Sequence, residues 1–197
     1  GGQDMKFLEF VSVSEILGRS LLGHYAFNCQ APDIGNIELI LRFGDDKQKI
    51  KFLEPLMSGE IRSCVGMVEP ERPGSNPSWL ETSAVKDNGE YVINCRKWFT
   101  SSADGATFCA LMAVTNPEAY NKYKRASMII VPLDTKGVEI KRNISVMGEK
   151  GSGFFSHAEI QYTNVKVPIE NILQNEGDGF RLAQERLGPG RIHHCMR

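Results

Sequence analysis

An α+β chain is expected, with a helical segment, then an antiparallel β-barrel-like middle domain, then the start of a helical-bundle domain. Three observations predict it. Apolar residues recur at helical spacing up to about residue 60, the period drops to two between Arg62 and Pro168, and helical spacing returns after Pro168. The 197 residues are 41% hydrophobic and 9% aromatic, enough to bury a core. A formal net charge of −1 argues against a large polyanion, so no nucleic-acid partner is expected. Cys29, Cys64, Cys95, Cys109 and Cys195 are odd in number and include no C-x-x-C pair, which indicates neither a disulfide framework nor a zinc site and favours a reducing compartment. The longest apolar runs, at 107–114 and 128–133, are too short for a transmembrane segment and read as buried strands.

Phe7, Phe10, Val11, Leu17 and Leu21 share one helical spacing, and Ile37, Ile40 and Leu41 repeat it after Asp33, the expected N-cap. Asp45 with Gln48 resembles a capping box, Ile50, Leu53 and Met57 mark one face, and Pro55 should kink or restart that helix. Strands are expected at 63–68, on both sides of an Asn88-Gly89 hairpin, and at the two apolar runs. Val138, Ile140 and Ile144 alternate with Glu139, Lys141 and Asn143, and Ile160 and Tyr162 alternate with Glu159 and Gln161, as in strands with one wet face. Residues 116–126 form a basic loop. Phe180, Ala183 and Leu187 then share a helical face, which Gly188-Pro189-Gly190 should interrupt before Arg191 opens a last piece. The expected division is 1–60, 61–174 and 175–197. Both ends fall within helical patterns with no leader-like segment, so the chain is read as a piece of a longer protein.

Two segments can carry chemistry. The Pro/Gly-rich loop from Val65 to Ser75 can expose backbone amides, and the strand after the hairpin ends in Trp98, Phe99, Thr100 and Ser101, so a flat ligand can lie between them. Taken alone, the loop reads first as a strand connection with Ser75 capping a turn, and the strand end as two core aromatics. The run GEKGSGF at 148–154 lacks the GK[ST] ending of a P-loop and precedes a strand. EGDGF at 176–180 opens a helix and is assigned no site. Adjacent His193 and His194 diverge by about 100° on a helix and have no third ligand at suitable spacing, so no metal is assigned. His24 and His157 are isolated, and Lys122, Lys124 and Arg125 read as a solvated loop.

The order of an E-P loop closing on Gly74-Ser75, followed by N-x-x-K at Asn94–Lys97 and then aromatic and hydroxyl residues, resembles the flavin-binding middle domain of the acyl-CoA dehydrogenases. The family pattern N-G-x-K-x-W-I-T aligns with Asn94, Cys95, Arg96, Lys97, Trp98, Phe99, Thr100 and Ser101. F-x-x-V-x-VP is matched by Tyr162, Val165, Val167 and Pro168. FNCQAPDIGN from Phe27, the closing RLGPGRIHHCMR and the longer E-P loop are most similar to the subgroup of family members ten and eleven. The likeness covers essentially the whole chain.

The resemblance implies FAD as cofactor, bound by Val65, Gly66, Met67, Val68, Glu69, Pro70, Glu71, Arg72, Pro73, Gly74 and Ser75 together with Phe99, Thr100 and Ser101. Val65, Met67 and Val68 would line the flavin ring, Gly74 and Ser75 its pyrophosphate, Phe99 would take the stacking position, and Ser101 would meet flavin N5. It implies acyl-CoA as substrate, faced by Ser75 and by Arg191 at the CoA portion. Val68 in place of Thr or Ser, Asn76 in place of Asp, and one extra loop residue depart from the family pattern. The implied activity is α,β-dehydrogenation of acyl-CoA thioesters to trans-2-enoyl-CoA in fatty acid β-oxidation, with electrons passed to an electron-transfer flavoprotein. The family's carboxylate base lies beyond Arg197, so no catalytic residue is assigned and the isolated chain is expected to be inactive. A homo-oligomer is implied, mitochondrial or peroxisomal in a eukaryote and cytoplasmic in a bacterium. An acyl-CoA oxidase and a non-catalytic acyl-CoA-binding or assembly module are the alternatives.

Overall fold

The structure, a computed structural model, describes residues 5–196. Helices α1 (Phe7–Leu17), α2 (Gly23–Ala26) and α3 (Asp33–Phe43) lead into α4 (Asp46–Gln48), a π-helical turn (Lys49–Leu53) and α5 (Glu54–Ser58). Strands β1 (Ser63–Gly66), β2 (Ser83–Asp87), β3 (Glu90–Ser101), β4 (Phe108–Val114), β5 (Ala126–Pro132), β6 (Val138–Asn143) and β7 (His157–Pro168) follow, and α6 (Gly179–Met196) closes the order. No helix among the described residues is long and apolar enough to cross a membrane.

Several local features follow from single residues. The Asp45–Gln48 capping box forms reciprocally, with Gln48 N donating to Asp45 Oδ1 at 2.7 Å and Asp45 N to Gln48 Oε1 at 3.0 Å. Pro55 has no amide to bond back to Lys51. The helix accommodates this by widening into the π turn and resuming at Glu54, so Pro55 shapes the helix without ending it. The expected reach of α1 to Leu21 is corrected: the helix stops at Leu17, and Leu21 is 89% exposed.

Asp33 is not the N-cap of α3. It is the first residue inside the helix, and its buried carboxylate instead accepts from Ser63 N at 2.8 Å, Ser63 Oγ at 2.6 Å and Arg62 Nη1 at 3.3 Å, fastening α3 to the start of β1. The expected break at Gly188-Pro189-Gly190 is also corrected, because α6 runs through Pro189 while packed on α1 and α3. Arg186 anchors that packing: buried among the helices, it donates to Asn36 Oδ1 at 2.9 Å and Pro32 O at 3.2 Å. Burial brings its guanidinium down to about 10, against the pull of Glu38.

The seven strands form one curled sheet of order β1-β4-β2-β3-β7-β6, with β5 on the far side of β4. The sheet is mixed: β1 runs parallel to β4 from Ser63 opposite Phe108 to Gly66 opposite Leu111, while β2–β3, β3–β7, β4–β5 and β6–β7 are antiparallel. Asn88 (φ 49°) and Gly89 (φ 84°) turn the β2–β3 hairpin, the paired positive angles that match strand twist.

Strand β4 shows why its sequence is apolar throughout. Cys109, Leu111 and Ala113 face one core with Tyr91, Ile129 and Ile160, while Phe108, Ala110 and Met112 face a second core with Leu39, Phe52 and Leu182. A strand buried on both faces loses the alternation of a half-wet one. The one-sided pattern read for β6 is corrected, since Ile140 is 42% exposed on a strand that pairs on one side only, with β7. Glu159, expected on a wet face, is buried because Arg142 (2.7 Å) and Arg96 (3.4 Å) close over its carboxylate.

Candidate functional site

The C-terminal end of β1 and the loop that follows it are lashed to β3. Lys97, fully buried on β3, donates from Nζ to Met67 O at 2.9 Å and to Glu69 Oε1 at 3.0 Å, and Trp98 N donates to Val68 O at 3.1 Å. Glu69 is 5% exposed, and its carboxylate also accepts from Glu81 N at 2.9 Å, Thr82 N at 2.8 Å and the Thr82 hydroxyl. Burial alone would raise the Glu69 carboxyl, but the Lys97 ammonium and the Thr82 and Glu81 donors outweigh it and hold the group below the usual carboxylate range. Burial pulls the Lys97 ammonium down, and Glu69 opposes that shift.

Two glycines make the close approach possible. A Cβ on Gly66 would lie 2.9 Å from Leu111 Cδ1 and 3.0 Å from Cys109 Sγ, and one on Gly74 would lie 2.6 Å from Val68 Cγ1. The loop tip from Glu71 to Ser75 is exposed, pinned at its flanks by ion pairs of Arg72 with Glu81 and Arg96 with Glu71.

The end of β3 is bent by a bulge. Its pairing with β7 shifts register between Lys97 and Thr100, and Phe99 sits inside the shift with φ 45°. Positive φ in an aromatic residue is sparsely populated and persists only where the surroundings hold it. Here Trp98 N is tied to Val68 O on one side, while Thr100 and Ser101 return to the ladder opposite Ala158 and His157 on the other. Phe99 is 44% exposed, with its ring edge-on to Trp98 at 5.1 Å between centroids. Thr100 is buried. The Ser101 hydroxyl lies 2.8 Å from His157 Nδ1.

The structure thus ties Met67, Val68 and Glu69 to Lys97 and Trp98, which directly precede Phe99, Thr100 and Ser101 in the chain, and Val65, Gly66, Pro70 and the exposed Glu71–Ser75 tip adjoin them in sequence. Arg191 is differently placed from its expected helix start. It stands inside α6, exposed, with Nη2 donating to Gln184 Oε1 at 3.3 Å. Near the loop, a groove of about 840 Å³ is lined by apolar Trp79, Leu80 and Val85, by the ion pairs Arg72–Glu81 and Lys86–Glu176, and by Arg125. Among the described residues, no group of three or more His, Cys, Asp or Glu is arranged to hold a metal ion.

Sequence reasoning missed the role of Lys97 and His157. Lys97 had a signal: with Tyr91, Ile93 and Cys95 it keeps one parity along β3, and a lysine on the inward face of a strand needs a buried carboxylate.

A middle sheet flanked by helices, with a loop-and-bulge cleft at the strand ends, defines a class, and the comparisons place the chain in it. The acyl-CoA dehydrogenase middle domain matches residues 64–165 and the acyl-CoA dehydrogenase N-terminal domain matches residues 1–60. The chain belongs to the acyl-CoA dehydrogenase family. It is 43% identical over 199 residues to acyl-CoA dehydrogenase family member 10 of Mus musculus, covering 100% of this chain and 18% of that protein. It is 42% identical to acyl-CoA dehydrogenase family member 11 of Gallus gallus, covering 96% of this chain and 25% of that one. The solved structure of a putative acyl-CoA dehydrogenase from Mycobacterium abscessus superposes with a TM-score of 0.94 at 38% identity, over 99% of this chain and 48% of that chain. The chain thus spans a quarter or less of these two curated relatives and about half of the solved one.

Proposed function

We propose that the chain is the flavin-holding part of an FAD-dependent acyl-CoA dehydrogenase that oxidises acyl-CoA thioesters to trans-2-enoyl-CoA in fatty acid β-oxidation. The observation that carries this reading is the Lys97–Glu69–Met67 lashing, which with the Trp98 N to Val68 O bond ties the loop to β3 immediately before the exposed Phe99 ring and Ser101. The residues fit the group: a half-exposed aromatic is held at positive φ beside a glycine-bearing loop, and one hydroxyl stands at the strand end. FAD, when bound, supplies the two-electron acceptor for the hydrogen leaving the substrate β-carbon.

The chain's own residues bind and orient. Phe99 offers a stacking surface, the Met67–Val68 backbone an edge, and the Gly74-Ser75 amides an anion cradle of the kind suited to a pyrophosphate. Val68 replaces a hydroxyl, a loss of about 0.5–1.5 kcal/mol, while its methyls pack onto Gly74. Arg125 beside the apolar groove suits a phosphate of CoA, whereas Arg72 and Lys86 there are already paired with Glu81 and Glu176; Ser75 and Arg191 are the further contacts. The carboxylate base belongs to the part of the relatives that this chain does not span, so the isolated chain is inactive and holds FAD weakly. Electron-transfer flavoprotein is the acceptor, the protein is a homo-oligomer, and it works in mitochondria or peroxisomes if eukaryotic and in the cytoplasm if bacterial.

FAD titration of the flavin-stripped full-length protein tests the reading. Phe99→Ala should weaken binding roughly fivefold for a lost stacking contact of about 1 kcal/mol. Equal affinity of the variant and the unsubstituted protein would overturn the assignment of Phe99, and no FAD uptake by either would overturn the function.

A further inference from the structure

We infer that His157 is a positioning residue for the flavin edge: through Nδ1–H it donates to Ser101 Oγ and so leaves the single Ser101 hydroxyl proton directed at flavin N5. The inference rests on the flavin reading above and goes beyond it by assigning the residue behind the hydroxyl.

The geometry is imposed by the strands. Ser101 and His157 are direct partners in the β3–β7 ladder, immediately after the register shift that carries Phe99. Their side chains meet at 2.8 Å. Three hydrogen bonds tie the backbone around them: Ser102 N donates to Ser156 O at 2.8 Å, Ser102 Oγ to Phe154 O at 2.8 Å, and Ile144 N to His157 O at 2.8 Å. A hydroxyl carries one proton and two lone pairs, and a neutral imidazole has one nitrogen of each kind. If Nδ1 accepted from Ser101, the hydroxyl would offer N5 only lone pairs, and the N5 of an oxidised flavin is itself an acceptor. With Nδ1 as donor, the Ser101 proton is freed for N5. The tautomer of His157 thereby decides whether the strand end attracts or repels the oxidised ring edge.

The test uses the full-length protein. Long-range 1H–15N NMR of the flavin-free form should show His157 as the Nδ1–H tautomer. In the FAD-loaded form, His157→Phe should raise the flavin midpoint potential by about 15 mV, roughly a threefold shift in a two-electron equilibrium, because the Ser101 hydroxyl keeps its proton but loses the bond that directs it among about three rotamers, and a donor to N5 favours the oxidised ring. His157→Asn, which keeps an N–H donor, should restore the original value. A purely structural role would change FAD retention without this split between the two variants. Bound FAD with the same potential in His157→Phe, or an Nε2–H tautomer in the unsubstituted protein, overturns the inference alone. Failure of the unsubstituted protein to take up FAD overturns the flavin reading together with it. If His157→Phe does not fold, the tautomer measurement decides.

Discussion

Replacing Lys97 by Met removes one partner of the buried pair that sets the loop against β3. Removing one partner of a buried ion pair costs about 3–5 kcal/mol, because the other charge is left desolvated. Glu69 keeps three donors, Glu81 N, Thr82 N and the Thr82 hydroxyl, which puts the cost at the low end. The Met67 carbonyl also loses its Lys97 donor. A loss of about 3 kcal/mol follows, or about 6–12 °C in Tm for a chain of this size.

The pH dependence separates this cause from simple mispacking. Glu69 is held below the usual carboxylate range, so its contribution is complete above the unfolded-state value near ~4.3 and is lost as pH falls through the lower folded value. Without Lys97, burial raises the Glu69 carboxyl and it takes up a proton earlier. The difference between the two proteins should therefore shrink from pH 7 towards pH 4. Urea denaturation across that range reads it directly. A difference under ~1 kcal/mol at pH 7, or one that stays constant down to pH 4, would refute the reasoning.

Gly74→Ala should cost about 1–3 kcal/mol, since its new methyl meets Val68 Cγ1 at 2.6 Å, and Val68→Ala should recover most of that in a double-mutant cycle read by thermal melting. Asp33→Ala strips the buried Ser63 amide and hydroxyl of their acceptor, so denaturation should show a loss of about 2–4 kcal/mol and the Ser63 amide should exchange faster with deuterium. Cys195 is exposed, Cys29, Cys64 and Cys109 are buried, and burial pushes the Cys95 thiol up to about 12. An aromatic disulfide reagent at pH 8 should then titrate one thiol quickly and the other four only after unfolding.

The fold was largely legible because its signals are local. The capping box at Asp45, the Asn88-Gly89 turn and the doubly buried runs of β4 and β5 each declare themselves within a few residues. What misled was long-range. Asp33 looks like a cap from its neighbours, and only the arrival of Ser63 some 30 residues later gives its carboxylate different work. Gly188-Pro189-Gly190 reads as a break by propensity, yet packing on α1 and α3 carries α6 through it. At the candidate site, the loop and the strand end were visible as segments. The bulge that turns Phe99 out and the His157–Ser101 contact depend on β7 pairing across more than 50 residues, which no local pattern encodes.

The most direct test of the central proposal is the visible absorption spectrum of the full-length protein, followed by anaerobic addition of a long-chain acyl-CoA. Flavin bands that bleach on addition are the predicted result. A colourless protein that cannot be reconstituted with FAD would contradict the account, and would mean that the Val65–Ser75 loop and the Phe99–Ser101 strand end hold something other than a flavin.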